Sequence, residues 1–450
     1  MPEHASGPGV AVTRLHAGAV VTADVAGTIW RPGVVDLAGD RIVHVGPVLG
    51  APEHRGRTRM LPGLLMPGLV NTHGHTPMTL LRGVGEGLPL DRWLRHAIWP
   101  REAHLTAEDV YWGMTLGCGE MLRCGVTTSC ETYFHDAAVV DAVVDAGMRC
   151  VVTPGVLDVP DVGPGRGWQA MLEAAAALHA EADGRAGLVR VGIGPHAAYT
   201  LPPAALVAAG ELARRLDTIL TIHLAETEAE DRALRAEHGV TVPALLDRLG
   251  VLDARVLAAH AVWLTDADVS LLAERAVAVA HCPQSNAKLG SGIARLADLL
   301  RAGVTVGLGT DGPASNNDLD LWEELRLAPL LARARAADAS VIGAGQALAL
   351  ATRGGAAALG LDAGVLEPGR LADVVHVRTD DARFVPVLDD ADLVSHLVWS
   401  SASHLVSDVW VGGRQVVSDG TCVTVDAAAA GAQVQARAAR LADSAGPGPS

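Results

Sequence analysis

The chain has 450 residues, 49% hydrophobic and 19% charged, a globular composition with room for a large core and more than one domain. Its 35 basic and 51 acidic residues leave a net charge of −16, a field that repels phosphate backbones and argues against nucleic-acid binding. Apolar runs stop short of the ~18 residues a membrane span needs, and no basic-then-apolar leader opens the chain. Six scattered cysteines include no CxxC pair, so neither a disulfide frame nor a thiolate zinc site is expected. The expectation is a soluble cytoplasmic protein without nucleic-acid or membrane partners.

Residues 10–48 are punctuated by glycine and carry short alternating runs such as Arg41-Ile-Val-His-Val45, read as antiparallel strands. From residue 64 the pattern changes. Eight β-rich runs follow, at 64–71, 126–133, 150–156, 189–194, 219–223, 256–260, 277–281 and 304–309. Helical patterns alternate with them, at 106–124, 136–147, 168–182, 203–216, 228–249, 266–276, 293–302 and 321–336. The helix at 106–124 opens on a Thr-x-x-Asp cap and ends at Gly125. Eight strand–helix units predict a (β/α)8 TIM-type barrel. Residues 371–425 return to short alternating strands and are expected to join the N-terminal ones in a small composite β-sandwich domain. The predicted organisation is 1–66 and 371–425 for that domain, 67–370 for the barrel, and a helical tail over 426–450.

Polar residues gather at the strand ends. The first run ends in Asn71-Thr-His-Gly-His75, the fourth in Pro195-His196, the fifth in His223-Leu-Ala-Glu226, and the sixth and seventh in His260 and His281. The eighth ends in Gly309-Thr-Asp311. In a barrel these C-terminal ends open on one face. His73 and His75 lie two apart and share a side of a regular strand. With His223 and Asp311 they compose a mononuclear site for zinc or iron(II) with a position left for water. A metal there can lower the pKa of water from about 15.7 to about 7, worth roughly 12 kcal/mol. A histidine general base supplies only about 3–5 kcal/mol. Any one of these residues has an ordinary reading as a core histidine or a turn aspartate; their joint placement carries the expectation.

The stretch Met66-Pro-Gly-Leu-Val-Asn-Thr-His-Gly-His75, with His223-Leu-Ala-Glu226, His260 and Leu308-Gly-Thr-Asp-Gly312, resembles the amidohydrolase superfamily. Thr76-Pro-Met-Thr-Leu-Leu-Arg-Gly83, Trp93, Pro195-His196 and Asp311-Gly-Pro-Ala-Ser-Asn-Asn317 resemble its S-adenosylhomocysteine/5′-methylthioadenosine deaminase group. The resemblance implies His73, His75, His223 and Asp311 as ligands of one divalent metal per chain, zinc or iron(II), with Asp311 also taking a proton from the attacking water. It implies Glu226 as the acid that protonates the purine ring nitrogen and His260 as the residue that holds the nucleophile. It implies Glu102 on the ribose hydroxyls and His196 on the purine or ribose. Trp93 and Ser315 are further candidates for substrate contact. The implied reaction converts a 6-amino purine nucleoside and water to the 6-oxo product and ammonia.

Members of the group that accept a homocysteine tail use arginines near the third strand. Here that strand end carries Pro154, leaving Arg166 in the following loop as the remaining candidate. A neutral 5′ substituent is therefore expected ahead of a carboxylated one. Lys288 is the sole lysine and follows the seventh strand, which excludes a pair of metals bridged by a carboxylated lysine on strand four. The competing readings are a guanine or 8-oxoguanine deaminase, a triazine-type hydrolase, and a metal-free scaffold. A homo-oligomer, with a neighbouring subunit closing the tail pocket, stays open.

Overall fold

A computed structural model describes residues 11–54, 56–159 and 167–444. The run at 64–71 proves to be two strands in two different sheets. Gly56–Pro67 belongs to a sheet built from the chain ends, and Leu69–Gly74 is the first barrel strand. The switch falls where Pro67 has no N–H to donate and Gly68 passes close to Thr127, whose Oγ1 would lie 2.0 Å from any Cβ there.

The eight barrel strands are Leu69–Gly74, Val126–Glu131, Arg149–Val152, Val189–Val191, Ile219–Leu224, Arg255–His260, Ala278–His281 and Val306–Leu308. All their pairings are parallel, in the order four-three-two-one-eight-seven-six-five. The ring closes between strands four and five through the irregular continuation of strand four, by the bridges Ile193↔Leu220 and Ala197↔His223. Strand four is short because Gly194–Pro195 leaves the main sheet to pair with Gly155–Val156. Together these features make a (β/α)8 barrel with a sheet-rich end module.

Trp168–Ala182 and Leu321–Ala336 form helices with the expected bounds. Thr106 and Asp109 form a reciprocal capping box on Ala107–Arg123. The expected helix at 228–249 is two helices, Glu228–His238 and Val242–Arg248. Gly239 turns left-handed to end the first, and Thr241, accepting from the Ala244 N–H, caps the second. Several helical stretches lie outside those expected from sequence, among them Leu90–Trp93 with its continuation to Glu102, Pro283–Lys288, and two more toward the C-terminus. Ala344–Ala349 continues through Leu350–Gly354 into Gly355–Leu359, and Asp390–Trp399 lies in the C-terminal part. Gly354-Gly355 reads as a breaker, yet Gly355 lets this helix lie directly on Val70 of the first barrel strand.

The two chain ends meet in one nine-stranded sheet, where Val374–Val377 runs antiparallel to Gly56–Pro67. Its pairings are antiparallel except one: Val12–Val21 runs parallel to Gly56–Pro67. Alternation decides its two faces. Leu65, Val374 and Trp410 join a small core inside the module, while Leu64, Val375 and Val409 join the main core shared with the barrel. The tail helix Ala427–Ser444 lies on Ala107–Arg123, where Arg440 donates to Asp109. Among the described residues no helix is long and apolar enough to cross a membrane.

Candidate active site

Seven of the sequence-predicted site residues converge at the C-terminal mouth of the barrel. His73, His75 and His223 bring ligand nitrogens within 4.8 Å of one another, and the nitrogens of His73 and His260 and a carboxylate oxygen of Asp311 do the same. Asp311 Oδ1 lies 3.5 Å from His73 Nε2 and 3.3 Å from His75 Nε2. Glu226 Oε2 is 3.9 Å from His260 Nε2. His196, just beyond strand four, offers its carbonyl oxygen to His223.

The backbone fixes the ring orientations. His75 donates from Nδ1 to the Thr132 carbonyl at 2.5 Å, and His223 donates from Nδ1 to the His196 carbonyl at 2.8 Å. Carbonyl oxygens only accept, so both rings carry their proton on Nδ1 and turn a lone pair outward from Nε2. Those two Nε2 atoms lie 3.2 Å apart. Two lone pairs at that distance repel unless a cation stands between them. His73 Nε2 is likewise buried without a partner. Two inward imidazole lone pairs, the unpartnered Nε2 of His73 and the Oδ1 side of Asp311 fit a divalent metal ion, and among the described residues no N–H or O–H outside the set donates to any of these ring nitrogens.

The surrounding charges divide the roles. Burial, and then the neighbouring imidazoles, hold His196 down to about 3, so it is neutral. Burial also lowers His73 to about 4 against the pull of Asp311. Burial would lower His260 too, but Glu226 and Asp311 outweigh it and move it up. Burial raises Glu226, favouring its protonated form. Asp311 goes the other way: the facing rings of His73, His260 and His75 overcome burial and hold its carboxyl well below the usual carboxylate range.

Several residues that sequence reasoning missed hold this set in place. Ser285 donates to Asp311 Oδ2 at 2.6 Å. Asn286 Oδ1 faces His260 Nδ1 at 2.9 Å. Glu230 receives the N–H groups of Ala225 and Glu226 at 3.3 and 2.8 Å, fixing the turn that presents Glu226. Their only sequence signals are Ser285-Asn286 just after strand seven and a second glutamate four residues beyond Glu226. Ala225, His260 and Asp311 all have positive φ, 47°, 69° and 63°. That conformation is costly for residues with a Cβ, and at these three positions it falls where strands deliver functional groups.

The expected substrate contacts separate. Trp93, Glu102 and His196 line the cavity over the histidines. Trp93 donates from its indole to the Val84 carbonyl at 3.0 Å. Burial lifts Glu102 to about 7; the Tyr133 hydroxyl pulls it back, though without a hydrogen bond of regular geometry. Ser315 does not line the cavity. Its hydroxyl donates to Asp311 Oδ2 at 2.8 Å, because the turn after Asp311 folds it back beneath the carboxylate. Arg166 lies outside the described residues. Lys288 is a loop fastener, donating to the Ala314 carbonyl and to Asn317 and lying 3.5 Å from Glu86.

A parallel barrel with this donor set at its mouth defines a metal-dependent hydrolase. The amidohydrolase family matches residues 64–416, and the chain belongs to that family. A 5-methylthioadenosine/S-adenosylhomocysteine deaminase of Moorella thermoacetica is 41% identical over 418 residues, 92% of this chain and 96% of the relative. A 5′-deoxyadenosine deaminase of Methanothermobacter thermautotrophicus is 41% identical over 391 residues, 87% of this chain and 90% of the relative. Among solved structures, an adenosine deaminase from Xanthomonas campestris with bound zinc superposes with a TM-score of 0.91 at 36% identity, covering 97% and 99% of the two chains.

Proposed function

We propose that this chain hydrolyses the 6-amino group of an adenosine-type nucleoside, releasing ammonia and the inosine-type product. The carrying observation is the grouping of Glu226, His260 and Asp311 against the three inward-facing imidazoles. The reading is further supported by the deaminases to which the chain is similar over most of its length.

His73, His75, His223 and Asp311 would hold one zinc ion per chain, with iron(II) as the alternative. When bound, the metal supplies Lewis-acid activation of water. Ser285 and Ser315 hold Oδ2 of Asp311, so Oδ1 is the oxygen turned to the metal position and to the attacking water, whose proton it would accept. Glu226, whose proton burial helps to retain, donates to the ring nitrogen beside the reacting carbon and then relays a proton to departing ammonia. His260 directs Nε2 toward the same point while Asn286 anchors its other nitrogen. Glu102 and Trp93 suit the ribose side of the cavity, favouring a nucleoside over a free base.

The test follows purine ultraviolet absorbance and ammonia release with adenosine, 5′-methylthioadenosine, 5′-deoxyadenosine and S-adenosylhomocysteine. Conversion of at least one to its inosine-type product is expected. Inertness toward all four by the zinc-loaded protein, with turnover of guanine or a triazine, would overturn the assignment.

A further inference from the structure

Glu324 is fully buried near the start of the helix Leu321–Ala336. Among the described residues no lysine, arginine or histidine pairs with it, and the charges that act on it, Asp318 and Asp311, carry its own sign. A buried carboxyl in such company is costly unless its oxygens are hydrogen-bonded. Both are. Oε2 accepts from the backbone N–H of Gln284 at 3.1 Å, and Oε1 accepts from the side-chain amide of Asn316 at 2.8 Å.

The two donors belong to different loops, and each stands beside residues that hold the catalytic groups. Gln284 lies in the short helix Pro283–Lys288 after strand seven, where Cys282 gives no side-chain cap. The next two residues are Ser285, donating to Asp311 Oδ2 at 2.6 Å, and Asn286, whose Oδ1 faces His260 Nδ1 at 2.9 Å. Asn316 lies in the turn after strand eight. Its neighbour Ser315 donates to the same Asp311 oxygen at 2.8 Å. Its own amide also holds the Thr310 carbonyl at 2.9 Å, one residue before Asp311 and its left-handed backbone. One buried carboxyl therefore ties together the two loops that converge on Asp311. Lys288 joins the same loops from the far end of the short helix, through the Ala314 carbonyl.

We propose that Glu324 is a positioning residue for the hydrolysis: by clasping the loop after strand seven to the turn after strand eight, it sets the aim of Asp311 and His260. The proposal rests on the reaction assigned above and adds the group that keeps its two acid–base residues in register.

Glu324→Asp keeps the carboxyl but is one methylene shorter and cannot reach both donors. On the zinc-loaded protein, kcat per bound zinc should fall about ten- to hundredfold. KM should stay within about threefold, because Trp93 and Glu102 lie on other elements. Glu324→Gln keeps the reach and should recover most of the loss. Asn316→Ala cuts the clasp at its other end; it should lose as much as Glu324→Asp, and the double variant should lose no more than the worse single one. Asp373→Ala, which disturbs a buried ion pair far from the mouth, is the control for plain destabilisation and should keep its kcat per bound zinc. With cobalt(II) in place of zinc, Glu324→Asp and Asn316→Ala should both shift the visible absorption of the site. Parent kcat per bound zinc in the folded variants, an unchanged cobalt spectrum, losses that multiply in the double variant, or an equal loss in Asp373→Ala would overturn the proposal. The two readings fail separately: the cobalt spectrum needs no substrate, so a parent protein inert toward every adenosine sinks the deamination and leaves the clasp to be decided by the spectrum.

Discussion

Glu131, at the end of the second barrel strand, holds Thr76 with both carboxylate oxygens, one on the backbone N–H at 2.8 Å and one on the hydroxyl at 2.5 Å. Thr76 directly follows His75, whose ring is braced by the next carbonyl on the same strand, that of Thr132. The second strand therefore sets both the path of the chain leaving the HxH segment and the direction in which His75 aims its lone pair. Such outer partners typically change metal affinity by about 10–100-fold. Glu131→Ala should weaken zinc binding by about that factor in competition with a chromogenic chelator. Unchanged affinity would mean that Thr132 alone orients the ring.

The facing Nε2 atoms of His75 and His223 make a second prediction. Without a cation their lone pairs oppose each other, so metal loading should stabilise the fold as well as activate it. Protein stripped with a strong chelator should melt at a lower temperature and regain both melting point and activity with zinc. With the ion at 100 times its dissociation constant, the gain is about 2.7 kcal/mol. His223→Ala should abolish most of the zinc-dependent rise in melting temperature. If it keeps the full rise, His223 is not a ligand.

Much of this site could be read along the chain because a parallel barrel collects strand ends at one face, so His73, His75, His196, His223, His260 and Asp311 needed only correct strands to be brought together. What could not be read depends on contacts distant in sequence or on backbone conformation. Nothing in the run around Glu131 announces that its carboxylate clasps Thr76, 55 residues earlier. The positive φ of Ala225, His260 and Asp311 leaves no trace in residue type, since glycine is absent from all three positions. Ser315 was legible as a site residue but not as a support beneath Asp311, because the turn that folds it back is set by tertiary packing. The unbroken apolar run through Gly68 likewise hid the passage from one sheet to another.

Glu102 gives a pH-dependent prediction. Its folded pKa is raised from 4.5 to about 7 by burial. The native state therefore holds this proton more tightly than the unfolded chain does. Stability falls as pH rises from about 4.5 to about 7, and the full cost, about 3 kcal/mol at most, is present above 7. Glu102→Gln removes the charge with little change in shape. Denaturant unfolding should show the variant more stable than the parent at pH 8 and equal to it near pH 4. Equal stabilities at both pH values would show that Glu102 is stably charged in the fold.

Gly85 controls the wall that carries Trp93. Its φ is +76°, and an added Cβ would lie 2.7 Å from Trp93 Cδ1 and 2.8 Å from the Ala97 Cβ. Gly85→Ala therefore meets both a disfavoured backbone region and a direct clash, and the indole must move off the cavity. The expected result is a ten- to about hundredfold loss of kcat/KM with zinc content unchanged. Retention of the parent's kcat/KM would remove Trp93 from the substrate wall.

Arg149 and Asp373 join the barrel to the end module far from the catalytic mouth. Arg149 opens the third barrel strand, and Asp373 immediately precedes the module strand Val374–Val377. The pair is bidentate, at 2.9 and 3.1 Å, and both side chains are buried. The Gly412 N–H adds a third hydrogen bond to Asp373 at 2.7 Å, and Arg149 also donates to the Gly187 carbonyl. Removing one partner strands a buried charge, whereas removing both with apolar replacements does not. Asp373→Ala should cost about 3–5 kcal/mol in denaturant unfolding, while Arg149→Met combined with Asp373→Leu should cost much less than Asp373→Ala alone. Because the pair sits at the opposite end of the strands from His73 and Asp311, the folded single variant should keep its zinc affinity. Losses of equal size in the single and double variants would place the stabilisation in packing rather than in charge pairing.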